Sequence, residues 1–352
     1  MMKLIASLSF ASVLLLAGCG MTSEADQKSS ATPAQDNQPQ QVFNPTIDGQ
    51  WIGLGISYGS YRDGESPHKA SVSSEADILE DLTILTAKGT KSWHLIRMYG
   101  ADPASEQVLR VIKKHQLPVR VMQGAWLSGH QTEQKNQEQI DEVIRLANEY
   151  PEIIVAVNAG NEIFVDWSWH KFGQQDYDQY IGWIHQIKQA VNVPVTLADD
   201  YNFWNKPWSQ AIAAELDFIV LHAYAMWNSQ TLDNAVSWTA NIYDDIQARY
   251  PDKQIVLGES GWATSSISSN GDERLIIGEA SERAQAVFLQ EYTAWLEQRQ
   301  IASFLFEAFD EKWKGGEDKP DGIAEKNWGI FRSDRTPKQA VAAYFPTLAE
   351  RD

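Results

Sequence analysis

One cysteine, Cys19, occurs among 352 residues. With no second thiol there is no intrachain disulfide, and thiolate metal centres and cysteine nucleophiles are excluded. The seven histidines, His68, His94, His115, His130, His170, His185 and His222, include no pair at metal-ligand spacing. No metal or other cofactor is therefore expected. Positive charge is also scarce. Lys+Arg number 29 against 47 Asp+Glu, a net charge of −18, and a field of that sign repels polyanions. Nucleic acid is excluded as a partner, whereas neutral ligands are not. Gly-x-Ser-x-Gly, a P-loop and internal repeats are absent. The apolar run at 4–16 is too short to span a bilayer as a mature helix.

That run follows the basic start Met1-Met-Lys3 and leads into Leu16-Ala-Gly-Cys19. It reads as a signal peptide, and its last four residues resemble a bacterial lipobox, which implies cleavage before Cys19 and lipid attachment to it. Gly20 after the cysteine favours the outer membrane of a Gram-negative envelope. Residues 20 to about 45 are rich in Ser, Gln, Asp and Pro and cannot offset their ordering entropy. The expected organisation is a signal peptide at 1–18, a lipid-anchored linker at 19–45 and one folded domain at 46–352, packing from near Phe43. A monomer is expected.

From Gln50 onward, apolar runs alternate with amphipathic stretches. Strands are predicted at 51–58, 92–99, 118–123, 153–158, 194–198, 218–222, 254–259 and 301–309. Most are near-continuous in Ile, Val, Leu and Phe, as strands buried on both faces should be. Helices are predicted at 75–88, 103–115, 133–150, 174–191, 206–214, 232–250, 280–299 and 336–348. Eight β-then-α units in roughly 300 residues suit an α/β fold of the (β/α)8 TIM-barrel type. A doubly wound sheet is disfavoured because no Gly-rich phosphate turn follows the first strand.

Two of these strands deliver a carboxylate as they leave the sheet. Ile153-Ile-Val-Ala-Val157 runs on to Asn161-Glu162, and Gln254-Ile-Val-Leu-Gly258 runs on to Glu259-Ser-Gly-Trp262. An ionised Glu buried at a strand end is costly unless it is paired or used. Two such residues at the C-terminal face of one barrel could flank a single bond, as glycosidic-bond cleavage requires.

These segments resemble glycoside hydrolase family 17, the β-1,3-glucanase and β-1,3-glucanosyltransferase family. Gly55-Ile-Ser-Tyr58-Gly59 is similar to its first-strand motif and Arg97-Met-Tyr99-Gly100 to its second. Phe306-Glu307-Ala-Phe-Asp310-Glu311-Lys-Trp-Lys314 and Glu325-Lys-Asn-Trp328-Gly329 are similar to its eighth-strand region. The resemblance spans residues 53–337. Ala263, where plant members commonly carry Pro, departs from the pattern.

The resemblance implies that Glu162 is the general acid/base and Glu259 the nucleophile of a retaining enzyme. It also implies that Asn161 contacts a sugar hydroxyl, that Tyr224 holds the nucleophile, and that Glu311, Lys314 and Glu325 support the site. Tyr58, Tyr99, Glu307, Trp262 and Trp328 complete the expected substrate-binding set. Of the 14 tryptophans, eleven fall into two groups. Trp183, Trp238 and Trp295 lie in helical patterns and read as core. Trp126, Trp167, Trp169, Trp204, Trp227, Trp262, Trp313 and Trp328 follow strands, where indole can stack on the C–H faces of sugars or simply anchor loops. Asn270-Gly-Asp-Glu273 reads as a surface turn rather than a calcium loop.

Three activities are compatible with these residues: hydrolysis of a neutral, laminarin-like β-1,3-glucan, transfer of the glucosyl unit to another sugar, and glycan binding by a dead barrel. The presence of both glutamates argues against the third.

Overall fold

The computed structural model describes residues 40–87, 92–269, 271–316 and 322–349. The lipobox and Cys19 lie outside them. Eight parallel strands close into a barrel: β1 (Leu54–Ser57), β2 (Leu95–Met98), β3 (Arg120–Ala125), β4 (Ile154–Asn161), β5 (Val195–Asp200), β6 (Ile219–His222), β7 (Ile255–Ser260) and β8 (Ser303–Leu305). Each pairs with its sequence neighbours, and β8 pairs back onto β1 through Ser303–Leu54, Phe304–Gly55 and Leu305–Ile56. Burial on both faces explains the continuous apolar runs. One set of side chains (Leu95, Met122, Ala156, Ala198, Val220, Val256, Phe304) fills the barrel interior, and a larger set packs outward against the helices.

Among the described residues, seven helices longer than a single turn cover the outside: α1 (Glu75–Leu85), α2 (Pro103–His115), α3 (Glu133–Glu149), α4 (Tyr177–Ala190), α5 (Ser209–Glu215), α6 (Leu232–Arg249) and α7 (Glu282–Arg299). Several starts are written in the sequence. Ser74, Asp102, Thr132 and Ser281 accept the orphan N–H groups of Asp77, Ser105, Lys135 and Ala284, and Pro103 occupies the first turn of α2.

Three expectations need correction. The helix predicted at 336–348 is not formed. Its place is taken by turns, a 3-10 turn at Ala342–Tyr344 and a single turn at Pro346–Ala349. Pro346 cannot donate and would clash with a preceding carbonyl in mid-helix, while Arg335 and Lys338 are drawn inward to buried Asp81 and Asp310. The eighth strand is also shorter than the predicted 301–309. After Leu305 the chain turns to bond with the segment that follows Trp328, through Ile330 N to Glu307 O and Phe331 N to Ala308 O. Finally, the linker does not extend to residue 45. Phe43 stacks on Phe218 across 5.0 Å and exchanges two hydrogen bonds with Gln254, and the Gln40 side chain donates to Asp217 O at 2.7 Å. Residues 40–45 thus close the N-terminal end of the barrel.

Candidate active site

At the opposite end, the C-terminal strand ends open into a cleft of about 1170 Å³. Glu162 is the first residue after β4 and adopts left-handed backbone, φ 52°, a conformation costly for a residue with a Cβ. Two bonds hold it there: Glu162 N donates to Ala198 O at 2.9 Å, and Phe164 N donates to Oδ2 of the fully buried Asp199 at 2.8 Å. The Glu162 carboxyl reaches the cleft with 19% of the side chain exposed.

Glu259 stands on β7 and is nearly buried. Its Oε1 accepts from Arg97 Nη1 at 2.8 Å and Tyr99 OH at 2.9 Å, and its Oε2 accepts from Tyr224 OH at 2.7 Å. The guanidinium of Arg97 also donates to Asn161 Oδ1 at 2.6 Å, tying the ends of β2, β4 and β7 together. Asn161 itself lines the cleft.

His222, at the end of β6, sits between the two glutamates. Its Nδ1 is 2.9 Å from Glu162 Oε1 and its Nε2 is 3.6 Å from Glu259 Oε1. One oxygen of each glutamate and a ring nitrogen of His222 all fall within 4.8 Å of one another.

The two carboxyls are driven apart electrostatically. Burial, then the facing charges of Glu259 and Asp200, raises the pKa of Glu162 well above the usual carboxylate range. Burial acts the same way on Glu259. There it is outweighed by the charges of His222 and then Arg97 and by the hydroxyls of Tyr224 and Tyr99, and the pKa ends below the usual range. Burial lowers His222 to about 4, so near neutral pH the imidazole is uncharged and the cation facing Glu259 is Arg97. The result is one protonated and one ionised carboxyl side by side, the pairing needed for acid-assisted displacement. Among the described residues, Glu162, His222 and Glu259 are the only cluster with metal-ligating geometry. Arg97 already neutralises Glu259, and such an arrangement suits proton transfer better than cation binding.

Of the other expected residues, Tyr58, Tyr99, Tyr224, Glu311, Lys314, Glu325 and Trp328 line the cleft. The Tyr58 hydroxyl is committed to buried Asp81 at 3.1 Å. Lys314 bonds Glu307 and, at 2.8 Å, Glu311, and lies over the ring of Phe306. Glu307 is thereby a support behind the wall and not part of it. Glu311 Oε1 and Trp328 Nε1 are buried at the cleft without a protein partner.

Two tryptophans are reassigned. Trp262 is buried with Nε1 bonded to Glu279 O and its ring on Phe288, so it anchors a loop and offers no sugar platform. Trp204 is likewise buried, with Nε1 bonded to Val220 O. Trp126, Trp167, Trp227 and Trp313 do line the cleft. Glu273, expected on a surface turn, is buried and clasps Ile267 N and Ala324 N; Asn270 lies outside the described residues.

Sequence reading passed over His222 and the buried pair Asp199 and Asp200. The only signal was the clustering of charge-bearing residues at the ends of β5 and β6, in Ala198-Asp-Asp200 and Leu221-His222.

A family model, the BtgE/BtgC glycoside hydrolase domain, matches residues 55–329. The chain belongs to that family. The curated relatives of this chain include a protein from Aspergillus niger provisionally named glucan endo-1,3-beta-glucosidase btgC. It is 26% identical over 287 residues, which are 76% of this chain and 40% of that protein. The chain therefore spans well under two thirds of that relative. Among solved structures, an endo-laminarinase from Formosa superposes with a TM-score of 0.72 at 22% identity, covering 85% of this chain and 89% of its own. The glycoside hydrolase family 17 β-1,3-glucanosyltransferase of Rhizomucor miehei superposes with a TM-score of 0.65 at 21% identity, covering 82% and 97%. These likenesses establish the closed barrel, and the family agrees with the motifs read from the sequence.

Proposed function

We propose that this family member is a retaining β-1,3-glucan hydrolase in which Glu162 is the acid/base and Glu259 the nucleophile. One observation carries the reading: two carboxyls of opposite ionisation preference have oxygens within 4.8 Å of each other in an open cleft. Retaining enzymes hold their carboxyl groups about 5–5.5 Å apart, and inverting ones leave room for a water.

In the first step ionised Glu259 attacks the anomeric carbon while Glu162 gives its proton to the departing glycosidic oxygen. A glycosyl ester forms on Glu259 and the shortened chain leaves. In the second step Glu162, now ionised, takes a proton from water, whose oxygen displaces Glu259 from the same carbon. Arg97, Tyr99 and Tyr224 hold Glu259 on the line of attack. His222 fixes the orientation of Glu162, and Asn161 Nδ2 is placed to donate to a sugar hydroxyl beside the reacting carbon. The indoles of Trp126, Trp167, Trp227 and Trp313 offer stacking faces to successive sugar rings. The names of the btgC relative and of the laminarinase support a β-1,3-linked, uncharged glucan as substrate.

The transferase reading uses the same ester and differs only in whether a sugar hydroxyl or water resolves it. The aromatic walls favour it to the extent that they hold an acceptor. We also place the enzyme at the cell envelope through lipid on Cys19, acting as a monomer.

Azide rescue tests the assignment of roles. Glu162→Ala should retain activity on an aryl glycoside, whose leaving group needs little protonation, and with azide yield a β-glycosyl azide. Glu259→Ala should yield the α-anomer. Anomers exchanged between the two variants would reverse the roles.

A further inference from the structure

Two strongly exposed indoles lie on the loop that follows Glu162. Trp167 and Trp169 are 60% and 73% exposed. The two differ in place. Trp167 lines the cleft and Trp169 stands outside it. Trp169 is nevertheless fixed, for its indole lies face to face with the His130 imidazole, centroids 4.5 Å apart and planes 23° from parallel.

The loops that carry this pair are clasped beneath it. Gly129 N donates to His170 O at 3.0 Å, His170 Nδ1 is 3.1 Å from Ser128 Oγ, and Trp126 meets the His170 ring edge-on at 4.9 Å. Gly129 is required here, because a Cβ would come within 2.3 Å of Lys171 O. Trp126 and His170 are themselves cleft residues, so one rigid unit carries aromatic faces both inside the cleft and beyond its rim.

We propose that Trp169, backed by His130, is a stacking platform for the stretch of glucan chain that continues out of the cleft past Trp167. This rests on the β-glucan reading of the cleft. Its occupant is inferred from that continuity and from chemistry, since an indole face suits the C–H face of a neutral sugar ring and the stretch of ligand entering here is already bound next door. The consequence is selectivity for length. A polymer gains a contact that a trisaccharide, held wholly inside the cleft, cannot reach.

The test compares Trp169→Ala, Trp169→Phe and His130→Ala with the wild-type chain on laminarin and on laminaritriose. Trp169→Ala should lower kcat/KM on laminarin about tenfold, roughly 1.4 kcal/mol, through KM with kcat unchanged. It should leave laminaritriose cleavage as in the wild type, and Trp169→Phe should recover most of the loss. His130→Ala should show a smaller effect in the same direction. Equal loss on both substrates, or no loss on either, overturns the platform. Unchanged laminarin kinetics together with weaker binding to phosphatidylglycerol vesicles would assign Trp169 to lipid and overturn it as well. Wild-type cleavage of laminaritriose checks the cleft reading separately, so failure of the platform and failure of that reading are distinguishable.

Discussion

Glu162 and Glu259 hold oxygens within 4.8 Å of each other yet are pushed in opposite directions, Glu162 toward the acid and Glu259 toward the carboxylate. Proximity alone would raise one and lower the other without saying which. The environment makes the choice. Glu259 receives Arg97 and two tyrosine hydroxyls, whereas Glu162 faces Asp200 and an imidazole that burial keeps neutral near pH 7.

A bell-shaped pH profile is the first consequence. In the proposed mechanism Glu259 works as the carboxylate, and its pKa is lowered, so activity should be lost on the acid side only as pH falls through that lowered value. Glu162 there works as the acid, and its pKa is raised, so activity should persist above the ordinary carboxylate range and be lost as pH rises through the raised value. Measuring kcat/KM against pH checks both limbs. An acid limb at or above the ordinary carboxylate range would assign it to another group.

Arg97 offers a second test. Its two ends join Glu259 and Asn161, and a lysine keeps the charge but cannot bridge both. Arg97→Lys should reduce kcat by about tenfold to a hundredfold, on the order of 1.5–3 kcal/mol for hydrogen bonds to a charged group. It should also move the acid limb upward, because Glu259 loses part of what stabilises its anion. An acid limb that stays in place while kcat falls would make Arg97 a purely structural residue.

How much of this was legible from residues alone depends on the kind of signal. The barrel was, since double-sided burial writes itself as apolar runs such as Ile153-Ile-Val-Ala-Val157, and helix starts were written by Ser74, Asp102, Thr132 and Ser281. The two glutamates were visible because a carboxylate ending an apolar strand has no structural excuse. Trp262 misled: its place after β7 suggested the cleft, but a one-residue change in direction turns a side chain inward, and the sequence does not record it. The segment after Thr336 carries a helical pattern that Pro346 and two buried ion pairs override. His222 lay hidden for a related reason. A lone histidine at a strand end has no spacing to betray it, and only barrel closure brings it between residues 60 positions upstream and 37 downstream.

Location gives a third prediction. If Cys19 carries the lipid, Cys19→Ser should move the protein from the membrane fraction to the soluble one with specific activity unchanged. Wild-type protein found wholly soluble with a free thiol would remove the anchor from the account.

Stereochemistry tests the central claim most directly. A nucleophilic Glu259 means two displacements at one carbon, so the configuration is kept. Proton NMR of the first products released from laminarin should show the β-anomer of the new reducing end, with the α-anomer growing in later by mutarotation. The α-anomer appearing first would mean a single displacement by water, and Glu259 would be a base instead of the nucleophile.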